Sequence, residues 1–121
     1  MNRPAPTPAP PPLDRAQAID LAREYAAAIR AQFGARVRDL RLYGSATRGD
    51  WTAASDIDVL VLLDHVETAD EEWLVHRAVE LGLLRSGVVL QPLFMAETQF
   101  REMQQRERAF ALSVAREGIA L

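Results

Sequence analysis

Asp56 and Asp58 stand two apart around Ile57, at the head of the apolar run Val59–Leu63. In an extended strand, residues i and i+2 point to the same side, with Cα atoms ~6.5–7 Å apart. A carboxylate at the end of a strand that is apolar on both faces is costly unless it is paired or holds a metal. Two such charges repel each other, and both favour a divalent cation between them. An all-oxygen site of few carboxylates suits Mg²⁺ or Mn²⁺, which keep several waters and take further oxygens from a substrate phosphate. Just upstream, Gly44 and Ser45 follow a second strand candidate. A glycine there lets backbone approach a ligand, and a helical turn beginning there would aim free amides and the Ser45 hydroxyl at a phosphate. Arg48 reads either as a further phosphate contact or as a structural ion-pair partner of Asp50 and Asp56. The stretch holds both halves of a metal–nucleotide site.

These residues need elements to position them. Asp14 is placed to cap a helix running to about Phe33, with Ile19, Ala22, Ala26, Ile29 and Phe33 at helical spacing and Gly34 ending it. Arg36 to Tyr43 alternates, with Leu40 and Leu42 on one face and Asp39, Arg41 and Tyr43 on the other, as a strand with one polar face does. Gly44 to Ser55 reads as a loop with room for one helical turn, and Asp56 to Leu63 as the second strand. Thr68 or Asp70 then opens a helix to about Arg85, with Trp73, His76, Ala78, Val79 and Leu83 as its inward candidates. Gly87 precedes a third strand, "VVLQPLFM", in which Pro92 marks an edge or a bend. Glu97 to Glu117 reads as mostly helical with a break near Arg106, and "EGIAL" trails off it. The order α-β-β-α-β-α predicts a small α/β fold, a mixed sheet flanked by helices.

Composition narrows the setting. Six of the seven prolines fall in residues 1–12, "MNRPAPTPAPPP", which reads as a disordered tail ahead of one domain over residues 13–121. No apolar run reaches the ~18 residues of a membrane span, and the tail lacks the apolar core of a secretory signal, so the expected location is cytoplasmic. There is no cysteine, which excludes disulfides and thiolate metal sites. All 14 basic residues are arginine, which excludes a lysine-containing phosphate loop and Schiff-base chemistry. A net charge of -3 gives no strong nucleic-acid signal.

The stretch "GSATRGDWTAASDIDVLV" resembles the GSxARGDxxxxSDIDLxV signature of the nucleotidyltransferase superfamily related to DNA polymerase beta, in its minimal, stand-alone branch. The match is close over Leu40 to Leu63, and the element order extends it along most of the chain. The resemblance implies that Gly44 and Ser45 hold a nucleoside triphosphate, with Asp56 and Asp58 binding divalent metal as the catalytic pair. It implies transfer of a nucleoside monophosphate, with attack at the α-phosphorus and departure of pyrophosphate. It also implies a helical HEPN-type partner, as in toxin–antitoxin pairs where the small nucleotidyltransferase modifies or masks the toxin. The family carries a third carboxylate on the adjacent strand. Here the corresponding positions are Val89 and Gln91, and Glu97 comes only after the strand. The alternative reading is therefore a catalytically impaired nucleotide-binding subunit or antitoxin that acts by protein–protein association.

Other residues have plainer readings. Asp50 reads as a loop cap or turn residue rather than a ligand, Trp51 as a packing residue ahead of a base-stacking one, and Tyr43 as a strand neighbour of the Gly44 turn. His65 belongs to a loop and His76 to a helix face. The arginines of "RERAFALSVAR" decorate a solvated face, with Phe110, Leu112 and Val114 partly buried. Because both faces of Val59–Leu63 are apolar, either the C-terminal helices or a partner chain, such as a second copy in a homodimer, must cover the second face.

Overall fold

The helix that opens the fold, α1 (Arg15–Phe33), is set by its cap. The Asp14 carboxylate accepts from the Gln17 amide at 2.8 Å, and the Gln17 side chain accepts from the Asp14 amide at 3.0 Å. This reciprocal pair satisfies two donors that a helix start leaves open. Gly34, with φ of 56°, stops the helix. The buried face comprises Ala18, Leu21, Ala22, Tyr25, Ala26, Ile29 and Phe33, while Ile19 is only partly covered. The structure, a computed structural model, describes residues 13–48, 51–52, 55–106, 114 and 116–121. The proline-rich segment 1–12 and the expected helical stretch 107–113 lie outside the described residues.

β1 (Val37–Tyr43) pairs antiparallel with β2 (Ile57–Leu63), and β2 pairs parallel with β3 (Leu90–Ala96). The sheet order is β3-β2-β1-β4, so the most apolar strand is central and β3 is an edge, as Pro92 suggested. β4 (Ile119–Ala120) corrects the reading of "EGIAL" as a trailing end: it pairs antiparallel with β1 and places Ile119 opposite Leu42. The Leu121 amide also donates to the Leu40 carbonyl at 2.9 Å. The outer edge of β1 thereby gains partners for its peptide groups.

β2 is buried on both faces, each by different elements. Ile57, Val59, Val61 and Leu63 join the core beneath α1 and α3 (Thr68–Val79). Leu60 and Leu62 form a second cluster with Val114, flanked by Tyr43, Leu93, Met95 and by Phe100 of α4 (Glu97–Arg106). The second face is thus covered from within the chain, the first of the two arrangements expected for it.

The inward set of α3 also needs correction. Leu74 and Ala78 are its buried residues, followed by Gly82 in the π-helical turn Glu80–Leu84 that extends it. Val79 and Leu83 are 38% and 51% exposed, His76 is exposed, and Trp73 is half-buried, edge-on to Phe33 at 5.3 Å. Of the expected inward set, Ala78 is buried and Trp73 packs against the core, whereas Val79 and Leu83 sit one position, roughly 100°, past buried Ala78 and Gly82. Tyr25 contributes to that choice, since its hydroxyl donates to the Leu74 carbonyl at 2.7 Å. Among the described residues, no helix is long and apolar enough to cross a membrane.

Candidate active site

β1 ends at Tyr43, and Gly44 turns the chain with φ of 81°, a left-handed conformation that favours glycine. A single helical turn, α2 (Ser45–Arg48), starts immediately after it. Thr47 closes this turn: its amide and hydroxyl both donate to the Gly44 carbonyl, at 3.1 and 2.7 Å. Ala46 is fully buried in the core. From α1, the Arg15 Nε donates to the Ala46 carbonyl at 2.5 Å. The Gly44–Ser45 turn is therefore held by the Thr47 hydroxyl, by an apolar anchor and by a second helix. Nothing in the local pattern pointed to Arg15, because its contact spans 31 positions.

Asp58 is the second residue of β2, half-buried, opposite Tyr43 across the antiparallel pair. Its carboxylate crowds the turn: a β-carbon built on Gly44 would sit 2.5 Å from Oδ2. Glycine at 44 is what lets a carboxylate and the start of the turn share that space. Burial, together with the Asp58 charge, pushes the Tyr43 phenol up to about 12, so it is neutral at physiological pH. Asp56 departs from its expected place. β2 begins at Ile57, so Asp56 precedes the strand and is exposed. Outside the ladder it remains hydrated, which spares it the desolvation cost a strand position would carry.

In the parallel pair with β3, Gln91 is the residue in register with Asp58. Val89 lies one step before β3, where its carbonyl accepts from the Ile57 amide at 2.8 Å. The sheet therefore brings an amide, not a third carboxylate, alongside Asp58. Glu97 is far along the chain at the start of α4, salt-bridged to Arg38 at 3.5 Å and to Arg101 at 3.0 Å. Trp51 packs against the core, and its Nε1 donates to the Leu13 carbonyl at 2.8 Å. The backbone of Arg48 ends α2, but its side chain, like Asp50, lies outside the described residues.

Could this site hold a divalent ion? Its donor set is two carboxylates, one exposed and one half-buried, beside a glycine that leaves room at the carboxylate, which fits a hard cation with open positions. A different acidic group lies elsewhere, with ligand atoms of His65, Glu67 and Asp70 within 4.8 Å of one another. Both Asp70 oxygens already accept from Arg36, at 3.1 and 2.7 Å, and Oδ2 accepts from the Glu67 amide as well. Arg36 also pairs with Asp64 at 3.0 Å. The Asp70 carboxylate of that group is thus already engaged by an arginine, and six strand steps, roughly 20 Å, separate Asp64 from Asp58. It ties α3 to the far end of the sheet.

Comparison with known proteins agrees with this geometry. Residues 22–115 match the sequence pattern described as "Nucleotidyltransferase domain". The chain is 31% identical over 80 residues to a protein of Methanocaldococcus jannaschii named "Putative protein adenylyltransferase", an alignment covering 66% of this chain and 75% of that one. A second protein of the same organism and name is 25% identical over 80 residues, covering 66% and 81%. In fold, the chain is similar to the crystal structure of "a putative nucleotidyltransferase from Sulfolobus solfataricus", with a TM-score of 0.55, 18% identity, and coverage of 88% and 80%.

Proposed function

This chain belongs to the nucleotidyltransferase domain family, and from that membership we propose that it transfers a nucleoside monophosphate from a nucleoside triphosphate to a hydroxyl of a protein acceptor. The observation that carries the reading is the contact between Gly44 and Asp58, which sets a carboxylate against the turn of a Gly-Ser pair, with Asp56 two residues away. Gly44, Ser45 and Arg48 bind the triphosphate, and Asp56 and Asp58 hold Mg²⁺ or Mn²⁺. The ion, when bound, neutralises charge on the phosphates and polarises the phosphoryl oxygens. The acceptor oxygen bonds to the α-phosphorus, the bond from that phosphorus to the bridging oxygen breaks, and pyrophosphate leaves with the electron pair. The acceptor proton passes to a base, and Gln91 cannot serve because an amide has no basic lone pair at neutral pH. The names of the Methanocaldococcus relatives support ATP as donor and a protein as acceptor, for which a helical HEPN-type protein is a candidate. A cytoplasmic setting, rich in nucleoside triphosphates, suits this chemistry.

The second reading is a nucleotide-binding subunit with impaired transfer, and one observation favours it: Gln91 occupies the register position beside Asp58. Calorimetry separates metal-dependent binding from its absence. Mg²⁺ should strengthen ATP binding to the native protein, and Asp58→Asn or Asp56→Asn should remove that effect at least about tenfold, with an unchanged circular dichroism spectrum. Equal ATP affinity with and without Mg²⁺ would overturn the metal assignment and with it the first reading. Incorporation of labelled nucleotide into co-expressed protein then separates the first from the second.

A further inference from the structure

The large apolar side chains that remain exposed among the described residues are Val75, Val79, Leu83, Leu84 and Val89, at 43, 38, 51, 76 and 39%. Scattered singly over a surface they would mean little, but all five fall within one stretch of the chain. Val75, Val79 and Leu83 recur every four residues, each one position on from buried Leu74, Ala78 and Gly82. They form an apolar stripe along α3 and its π-helical extension, beside the face that covers the sheet. Charge is distributed unevenly along this element. Exposed Glu71 and Glu72 stand near its start, and Arg85 follows its end, half-exposed in an ion pair with Glu24 of α1.

We propose that this stripe is a two-fold interface with a second copy of the chain, the two α3 helices packing antiparallel about Val79. An isologous contact requires a patch complementary to itself. Antiparallel packing about Val79 sets Val75 of one copy on Leu83 of the other, apolar on apolar. It also brings Glu72, seven positions before the centre, to Arg85 of the second copy, six positions after it. A parallel arrangement would oppose acid to acid at one end and base to base at the other. The interface is built on the α1 and α3 side of the sheet, whereas Asp58 shares the opposite face with Leu60 and Leu62. Dimerisation therefore leaves the nucleotide site open, and this inference does not rest on the proposed reaction.

The test is light scattering and sedimentation equilibrium on the full chain across a concentration series. Native protein should weigh as a dimer, and Val79→Glu and Leu83→Glu should each weaken association at least about tenfold. Both positions are exposed in the monomer, so unfolding temperature at low concentration should be retained, as should ATP binding. Glu72→Arg should weaken the dimer, and combining it with Arg85→Glu should restore it. Monomer mass at the highest concentration overturns the proposal, as does a dimer indifferent to Val79→Glu and Leu83→Glu. So does a stripe that takes up a different protein on co-expression while the isolated chain stays monomeric. Indifference of the dimer to Glu72→Arg overturns the antiparallel arrangement.

Discussion

A β-carbon on Gly44 would lie 2.5 Å from Oδ2 of Asp58, and Gly44 holds a φ of 81°. The two residues are far apart in sequence, yet each requires the other to be what it is. Gly44→Ala should therefore fail twice. A left-handed non-glycine residue costs about 1–2 kcal/mol, and the new methyl displaces the Asp58 carboxylate. Thermal unfolding should report the first loss. The second should appear as Mg²⁺-dependent ATP affinity falling at least about tenfold, read by calorimetry.

The register sets Gln91, one of the two positions expected for a third carboxylate, directly beside Asp58. Gln91→Asp should raise nucleotide transfer, since a positioned general base contributes ~10²–10⁴-fold, while ATP affinity stays within a few-fold. Val89→Asp should not. Equal gains from both variants would refute the register argument, and full transfer by the native protein alone would show that Gln91 is no deficiency.

Gly82 is a test of packing against propensity. Alanine is the better helix former by ~0.8–1.0 kcal/mol. Yet a β-carbon at 82 would meet the Val88 carbonyl oxygen at 2.7 Å and the Leu90 Cβ at 2.9 Å. Neither neighbour is the loose end of a flexible side chain, so Gly82→Ala should destabilise, by roughly 1–3 kcal/mol. Chemical denaturation measures the sign directly.

Acid should loosen the far end of the sheet. The Arg36 guanidinium holds the Asp70 carboxyl below its ordinary value, and the Glu67 amide assists against the opposing effect of burial. Burial raises the Asp64 carboxyl, but the His65 amide and Arg36 outweigh it and lower it overall. A depressed folded-state value means the stabilisation is present above the unfolded value near ~3.9 and is lost as pH falls through the folded one. Asp70→Asn should therefore lower the unfolding temperature at pH 7 and make little difference at pH 2. The same deficit at both pH values would show that the contact does not depend on the charge.

Some of this protein was legible from local rules. Asp14 and Gly34 delimit α1 because a cap is chemistry within one turn, and the alternation of Leu40 and Leu42 against Arg41 marks β1 because a strand's period is local. Gly44-Ser45 and Asp56-x-Asp58 announced the nucleotidyltransferase family because residue type and spacing carry its signature. The tertiary structure decided what depends on pairing between distant segments. It set Gln91 rather than Val89 beside Asp58, drew Ile119 and Ala120 into the sheet, and sent Arg15 to the Ala46 carbonyl. It also chose which of two adjacent apolar stripes of α3 to bury, taking Leu74 and Ala78 and leaving Val75 and Val79 outside. Both stripes satisfy a helical period equally well. Only the shape of the surface beneath, where Gly82 meets Val88 and Leu90 and Tyr25 reaches Leu74, distinguishes them.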